Sequence, residues 1–221
     1  MIEFAQHAFH GFDASLKRLF DRLLAMGSNV EGLLALMPDG IEEAGTETLE
    51  RARQLDKKIN EAEIETDAAV ADIVAQYTTA GEDLRFILGS IKVAGAIERL
   101  ADRIKNCIKR LSKMPHPLDG EIKTGLMQSI AALKSMLPLC LAQLTEYDTA
   151  RSAKILEYGA NVQRNYRKVL LRLSHLELSP EAMHPMLLVA KNMDQASDMA
   201  IEIMKIAHYI HFGTKYERQQ A

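Results

Sequence analysis

Asp83-Leu84-Arg85-Phe86, running on through Glu98-Arg99-Leu100-Ala101-Asp102 to Leu111, is the stretch that decides the fold. Thr79 and Glu82, three residues apart just ahead of it, have the spacing of a capping box at a helix N-terminus. Apolar residues then recur at helical spacing, at Leu84, Ile87, Leu88, Ile91 and Ala94. Where that stripe should continue it meets acid. At about 100° per residue, Glu98 and Asp102 project roughly where Ile91 does. Two like charges at i and i+4 repel by a few tenths of a kcal/mol, so a compensating charge is expected nearby.

The device recurs. A shift of 96 residues carries Ile91 onto Leu187, Glu98 onto Asp194 and Asp102 onto Asp198. One acid-x-x-x-acid arises often by chance on a charged helix. A second copy in the same relation to the apolar stripe points to an internal repeat.

Composition bounds the class. The 221 residues carry a formal charge of −3, which leaves no electrostatic footprint for nucleic acid. Two cysteines, Cys107 and Cys140, read as core residues of a reducing compartment rather than a disulfide or metal framework. Trp is absent and Gly and Pro are few, which favours an all-α protein. Met1-Ile2-Glu3-Phe4-Ala5-Gln6-His7 does not read as a signal peptide, and no run of 18 apolar residues stands out as a membrane span. The expectation is a cytoplasmic chain, attached to a membrane at most peripherally.

Six helices are predicted. The first runs from about Phe4 to Met37, with Gly27-Ser28-Asn29 as a bend and Pro38-Asp39-Gly40 as its terminating turn. His7 and His10, three apart near the terminus, are a candidate metal pair but more commonly such residues are simply exposed. The second helix runs from Thr46 to about Thr78, with Ala52, Leu55, Ile59, Ala62, Ala69 and Ile73 facing the core. Beside that stripe stands a row of oxygen-bearing side chains, Asp56, Asn60, Glu63 and Asp67. If the second and third helices form a hairpin about Gly81, position 98 comes level with 64, 102 with 60 and 106 with 56. Acids from two helices then converge, with Asn106 near Asp56.

After Lys113-Met114-Pro115-His116-Pro117 the pattern restarts. The fourth helix, Asp119 to Tyr147, contains Pro138, expected to kink or divide it. Asp148 is a predicted N-cap for the fifth helix, and Ser179-Pro180 for the sixth, which Gly213 closes. Lys215–Ala221 reads as a disordered tail. The organisation is two tandem three-helix bundles, residues 1–114 and 115–221, related by a pseudo-two-fold axis. A shift of 103 residues lays the fifth helix on the second and replaces Asp56, Asn60 and Glu63 by Gly159, Gln163 and Tyr166. The second acidic cluster therefore rests on Asp194, Asp198 and Glu202 of one helix, and the two sites should not be equivalent.

These residues resemble the PhoU family of regulators of bacterial phosphate uptake. The points of similarity are Asp83-Leu84-Arg85, Glu98-Arg99-Leu100-Ala101-Asp102 and Asp194-Gln195-Ala196-Ser197-Asp198. In that family each repeat carries an acidic motif on its last helix and a partner motif on its middle helix. Asp56 and Asn60 stand at the first partner motif, with Asn in place of the second acid; Gly159 and Gln163 both depart from the second. The resemblance implies a cytoplasmic homodimeric adaptor without catalytic activity. Such adaptors restrain a phosphate-specific ABC transporter and hold its sensor histidine kinase inactive when phosphate is plentiful.

It also implies metal on the acidic motifs, Asp56 and Asn60 with Glu98 and Asp102, and Asp194 with Asp198. With Glu63 the first cluster offers only oxygen ligands, which suit Mg, Mn, Ca or Fe, and the second should bind far more weakly. Salt bridges from Arg99, Arg103 or lysines are the alternative source of neutralising charge. Two other readings remain: a di-metal carboxylate oxidase, which needs paired Glu-x-x-His motifs where only Glu181-Ala182-Met183-His184 occurs, and a metal-free helical scaffold.

Overall fold

The structure, a computed structural model, describes residues 10–42, 45–114 and 117–217. It contains α1 (His10–Glu42), α2 (Thr46–Gln76), α3 (Gly81–Leu111), α4 (Gly120–Thr145), α5 (Thr149–His175) and α6 (Pro180–Phe212). Among the described residues there is no strand. The helices form two sets of three, as the sequence predicts, and share one continuous apolar core.

The sets meet through α3 and α6, which run antiparallel. Arg85 Nε donates to the Ile210 carbonyl at 2.8 Å near one end, and Cys107 Sγ to the Val189 carbonyl at 3.5 Å near the other. This register brings Leu100 level with Ala196, the two positions that the 96-residue shift relates. Both are buried, and the approximate two-fold passes between them. Gly89 allows the close approach: a Cβ there would stand 2.7 Å from Ile210 Cγ1.

The buried face of α3 is Phe86, Ile87, Ser90, Val93, Ala94, Ile97, Leu100, Ala101, Ile104, Cys107 and Ile108. It is rotated from the predicted stripe, since Leu88 and Ile91 are 47% and 37% exposed. Two three-helix sets enclose α3 on several sides, so residues adjoining α6 are buried as well. Glu98 and Asp102 thus lie at the edge of the core, on the border facing α2. Leu187, the counterpart of Ile91, is half-buried.

Four other expectations are corrected. No capping box forms: Ala80 is the N-cap of α3 without a side-chain bond, and Glu82 Oε1 instead lies 3.1 Å from His211 Nδ1 of α6. Gly81, at φ +58°, makes the turn from which α3 starts. Second, α1 continues through Pro38 to Glu42. A helix-interior proline costs about 3 kcal/mol, but the turn it carries buries Met37 and Ile41, each 1% exposed. Such burial returns roughly 1.5–3 kcal/mol per side chain. Third, Pro138 does not divide α4, because Leu137, Cys140, Leu141 and Leu144 keep both sides of it in the core. Fourth, within the expected tail Tyr216 lies edge-on to His208 at a centroid distance of 5.4 Å.

The caps at Asp119, Asp148 and Ser179 form, each side chain accepting from backbone N–H groups of the following turn. Gly213 closes α6 at φ +70°. By length and composition α4 could cross a membrane, with a mean hydropathy of 1.3 over its most apolar window, a signal the sequence reading passed over. Here 56% of that window is buried against the other helices, so the bundle itself accounts for its apolarity. His7, the His10 side chain, Pro115, His116 and residues 218–221 lie outside the described residues.

Candidate metal centre

The α2–α3 hairpin brings the first cluster together in the register the sequence predicts. Asp56 and Lys105 are opposite each other, with Lys105 Nζ 2.9 Å from Asp56 Oδ2 and 2.9 Å from Asp102 Oδ1. Asn106 Nδ2 donates to Asp102 Oδ2 at 2.9 Å. Higher up the hairpin, Glu63 Oε1 lies against Gly95, 3.4 Å from where a Cβ would be. Glu98 is set between these groups. Burial, together with the charges of Glu63, Asp102 and Asp56, lifts its carboxyl above the ordinary range, and Lys105 opposes the lift. Asn60 is exposed.

Lys105 is the residue that sequence reasoning left unnamed, although its spacing of three from Asp102 is readable on a helix. Burial alone would push its ammonium down. Hydrogen bonds to Asp102 and Asp56 outweigh that and hold it above the usual lysine range.

The donors are all oxygen, the chemistry of a hard-cation site, and one oxygen remains unused: Asp56 Oδ1 is buried with no hydrogen-bond partner among the described residues. As the side chains stand, no three His, Cys, Asp or Glu among the described residues converge tightly enough to hold a metal ion. The Lys105 ammonium is the cation they surround. The donor set suits a metal; its present closure is around an internal positive charge.

The second cluster is sparser. Burial, then Asp198, raises the Asp194 carboxyl, while Lys191 and Arg167 oppose the rise. Asp198 is exposed. Glu202 turns away to the first repeat, where Arg99 Nη2 reaches both of its oxygens at 3.3 Å. From α5 comes no carboxylate: Gly159 meets α6 so closely that a Cβ would sit 2.8 Å from Ile201 Cδ1. Gln163 is exposed and Tyr166 packs against the core edge. Glu181 lies in the first turn of α6 with His184 exposed, and the sequence has no second Glu-x-x-His to complete an oxidase centre.

Fold and site together define an all-α, two-repeat bundle with a carboxylate cluster on the edge of each half. Residues 23–111 match the family described as PhoU domain. A phosphate-specific transport system accessory protein PhoU homolog from Burkholderia sp is 25% identical over 219 residues, covering 95% of this chain and 92% of the relative. A second, from Pseudomonas aeruginosa, is 24% identical, covering 94% and 88%. The crystal structure of PhoU from Pseudomonas aeruginosa shares the fold at a TM-score of 0.83 with 22% identity, over 92% of this chain and all (100%) of that one. The PhoU regulatory protein from Streptococcus pneumoniae does so at 0.81 with 18% identity, over 94% and 100%. The chain thus matches the PhoU domain over residues 23–111 and is similar to PhoU proteins along nearly its whole length.

Proposed function

We propose that this chain is a non-enzymatic accessory regulator of phosphate homeostasis, built on two repeats, 1–114 and 115–221. It works in the cytoplasm as a homodimer, restrains a phosphate ABC transporter, and keeps the partner sensor histidine kinase inactive when phosphate is plentiful. The observation that carries this reading is the similarity to PhoU accessory proteins over 95% of the chain. Recognition uses helix surfaces, where Ile64 of α2 and Leu171 of α5 are 69% and 62% exposed. Deleting the gene is expected to derepress phosphate uptake and the starvation response in phosphate-replete medium. Normal uptake with the response still off would sink the assignment.

Within that function, Asp56, Glu63, Glu98 and Asp102, with Asn60 at the margin, hold a hard cation, Mg, Mn, Ca or Fe. It would relieve the repulsion that lifts Glu98 and would give Asp56 Oδ1 a partner. Asp194 and Asp198 form a weaker second position. A second reading is supported by the two 2.9 Å contacts of Lys105: the ammonium is a built-in counter-ion, and the scaffold needs no metal.

A further inference from the structure

The middle helices of the two repeats carry opposite charge. On α2 the stretch from Glu61 onward holds Glu61, Glu63, Glu65, Asp67 and Asp72 and no Lys or Arg. The matching half of α5 holds Arg164, Arg167, Lys168 and Arg172 and no acid. Under the 103-residue shift Arg164 falls on Glu61 and Lys168 on Glu65. In the first repeat Glu65 is answered internally, by Arg22 of α1 at 3.4 Å. On α5, Arg172 is committed to Asp119 at 2.7 Å and Arg167 faces Asp194. Arg164 and Lys168 have no carboxylate partner among the described residues; Arg164 donates only to Asn161 Oδ1.

Both line a cleft of about 380 Å³ between α4 and α5, within the size range of small-ligand sites. Its remaining polar lining is Gln128, Ser135, Tyr158, Asn161 and Asn165, and it contains no Asp or Glu, in a chain that has 30 of them. Asn165 is only 6% exposed, yet its carboxamide has no hydrogen-bond partner among the described residues. That carboxamide lines the cleft, where a ligand can meet it.

We infer that the α4–α5 cleft binds the phosphoryl oxyanion of a small metabolite, with Arg164 and Lys168 pairing its charge and the Asn165 carboxamide donating from the floor. Guanidinium, ammonium and amide N–H groups supply donors for several oxygens of one tetrahedral anion, and charge-assisted bonds of this kind are the strong ones. The anion is inorganic phosphate itself or an organic phosphomonoester, since the cleft has volume for more than the anion. The site does not depend on the regulatory reading: a chain that binds the anion without restraining phosphate uptake would keep the site and lose the regulator.

The test is calorimetric titration of the full chain at physiological ionic strength with inorganic phosphate, with adenosine monophosphate, and with adenosine as the uncharged control. Saturable binding of either phosphate source and none of adenosine is expected. Phosphate binding assigns free phosphate, and binding of the monophosphate alone assigns an organic carrier. Arg164→Gln with Lys168→Gln, both at exposed positions, should weaken binding by about tenfold or more. Lys154→Gln, which removes an exposed charge elsewhere on α5, should leave it within about twofold. Asn165→Asp, isosteric but anionic, should abolish it; if that variant fails to fold, the double variant still decides. The inference is overturned if neither phosphate source saturates, if Lys154→Gln weakens binding as much as the double variant, or if folded Asn165→Asp keeps its affinity.

Discussion

The α2–α3 and α5–α6 hairpins are copies of one design, and they use their shared edge differently. In the first, α2 sends Asp56 and Glu63 toward Glu98 and Asp102 of α3, and Lys105 closes the cluster. In the second, α5 presents Gly159 where Asp56 would be, and the space of a side chain is taken by Ile201. The caps divide the same way. Neither α2 nor α3 has a side-chain N-cap, whereas α4, α5 and α6 all do. A repeat preserves the spacing that builds the core; what stands at the edge can change together with its packing neighbour, as Gly159 has with Ile201.

The largest expected effect separates the two clusters by metal. If the first cluster holds a hard cation, a hundredfold excess over its dissociation constant stabilises the fold by about 2.7 kcal/mol. Thermal melts with and without Mg or Mn should show that rise in the wild type and in Asp194→Ala with Asp198→Ala. It should vanish in Glu98→Ala with Asp102→Ala. Lys105→Met sharpens the comparison: if the ammonium competes with the metal, this variant binds metal more tightly than the wild type and is less stable without it. No metal-dependent rise in the wild type or in Lys105→Met would leave the internal counter-ion as the sole function of the cluster.

A smaller effect probes why the second cluster is incomplete. Gly159→Asp restores the missing acid but drives its Cβ into Ile201, and overpacking of this kind costs about 1–3 kcal/mol. Urea unfolding should show that loss, and adding Ile201→Ala should relieve the clash without restoring full stability. If Gly159→Asp alone is neutral, the packing explanation for the absent carboxylate fails.

The smallest effect concerns the caps. Asp119 accepts from the N–H groups of Glu121 and Ile122 and pairs with Arg172. The Arg172 hydrogen bond, aided by those N–H groups, holds its carboxyl below the ordinary value of 3.8. A lowered carboxyl contributes stability above its unfolded pKa and loses it as pH falls through the folded one. Asp119→Ala should therefore cost about 1 kcal/mol at neutral pH, and the gap from wild type should close in strong acid. A gap that persists unchanged at low pH would mean that the carboxylate is not its source.

The sequence by itself determined the six helices, their pairing into two sets, the hairpin register and the caps at Asp148 and Ser179. These follow from periodicity, turn residues and local hydrogen bonding, all of which act within a few residues of the chain. The convergence of Asp56, Glu63, Glu98 and Asp102 was legible for the same reason, because a helical hairpin is a local object. Tertiary structure decided what depends on distant neighbours. Pro38 stays inside α1 because the core retains Met37 and Ile41, and the buried face of α3 rotates because α6 covers it. Glu82 forgoes the capping box beside His211, 129 residues away in the sequence. Lys105 rather than Arg99 or Arg103 answers the acids, since Arg99 is drawn across the two-fold to Glu202. Asn165 reads as an ordinary α5 residue until α4 packs beside it; only then does it line a cleft between the two helices. Local rules place a residue on a face, but which charge or side chain meets it there is settled by helices the local sequence does not contain.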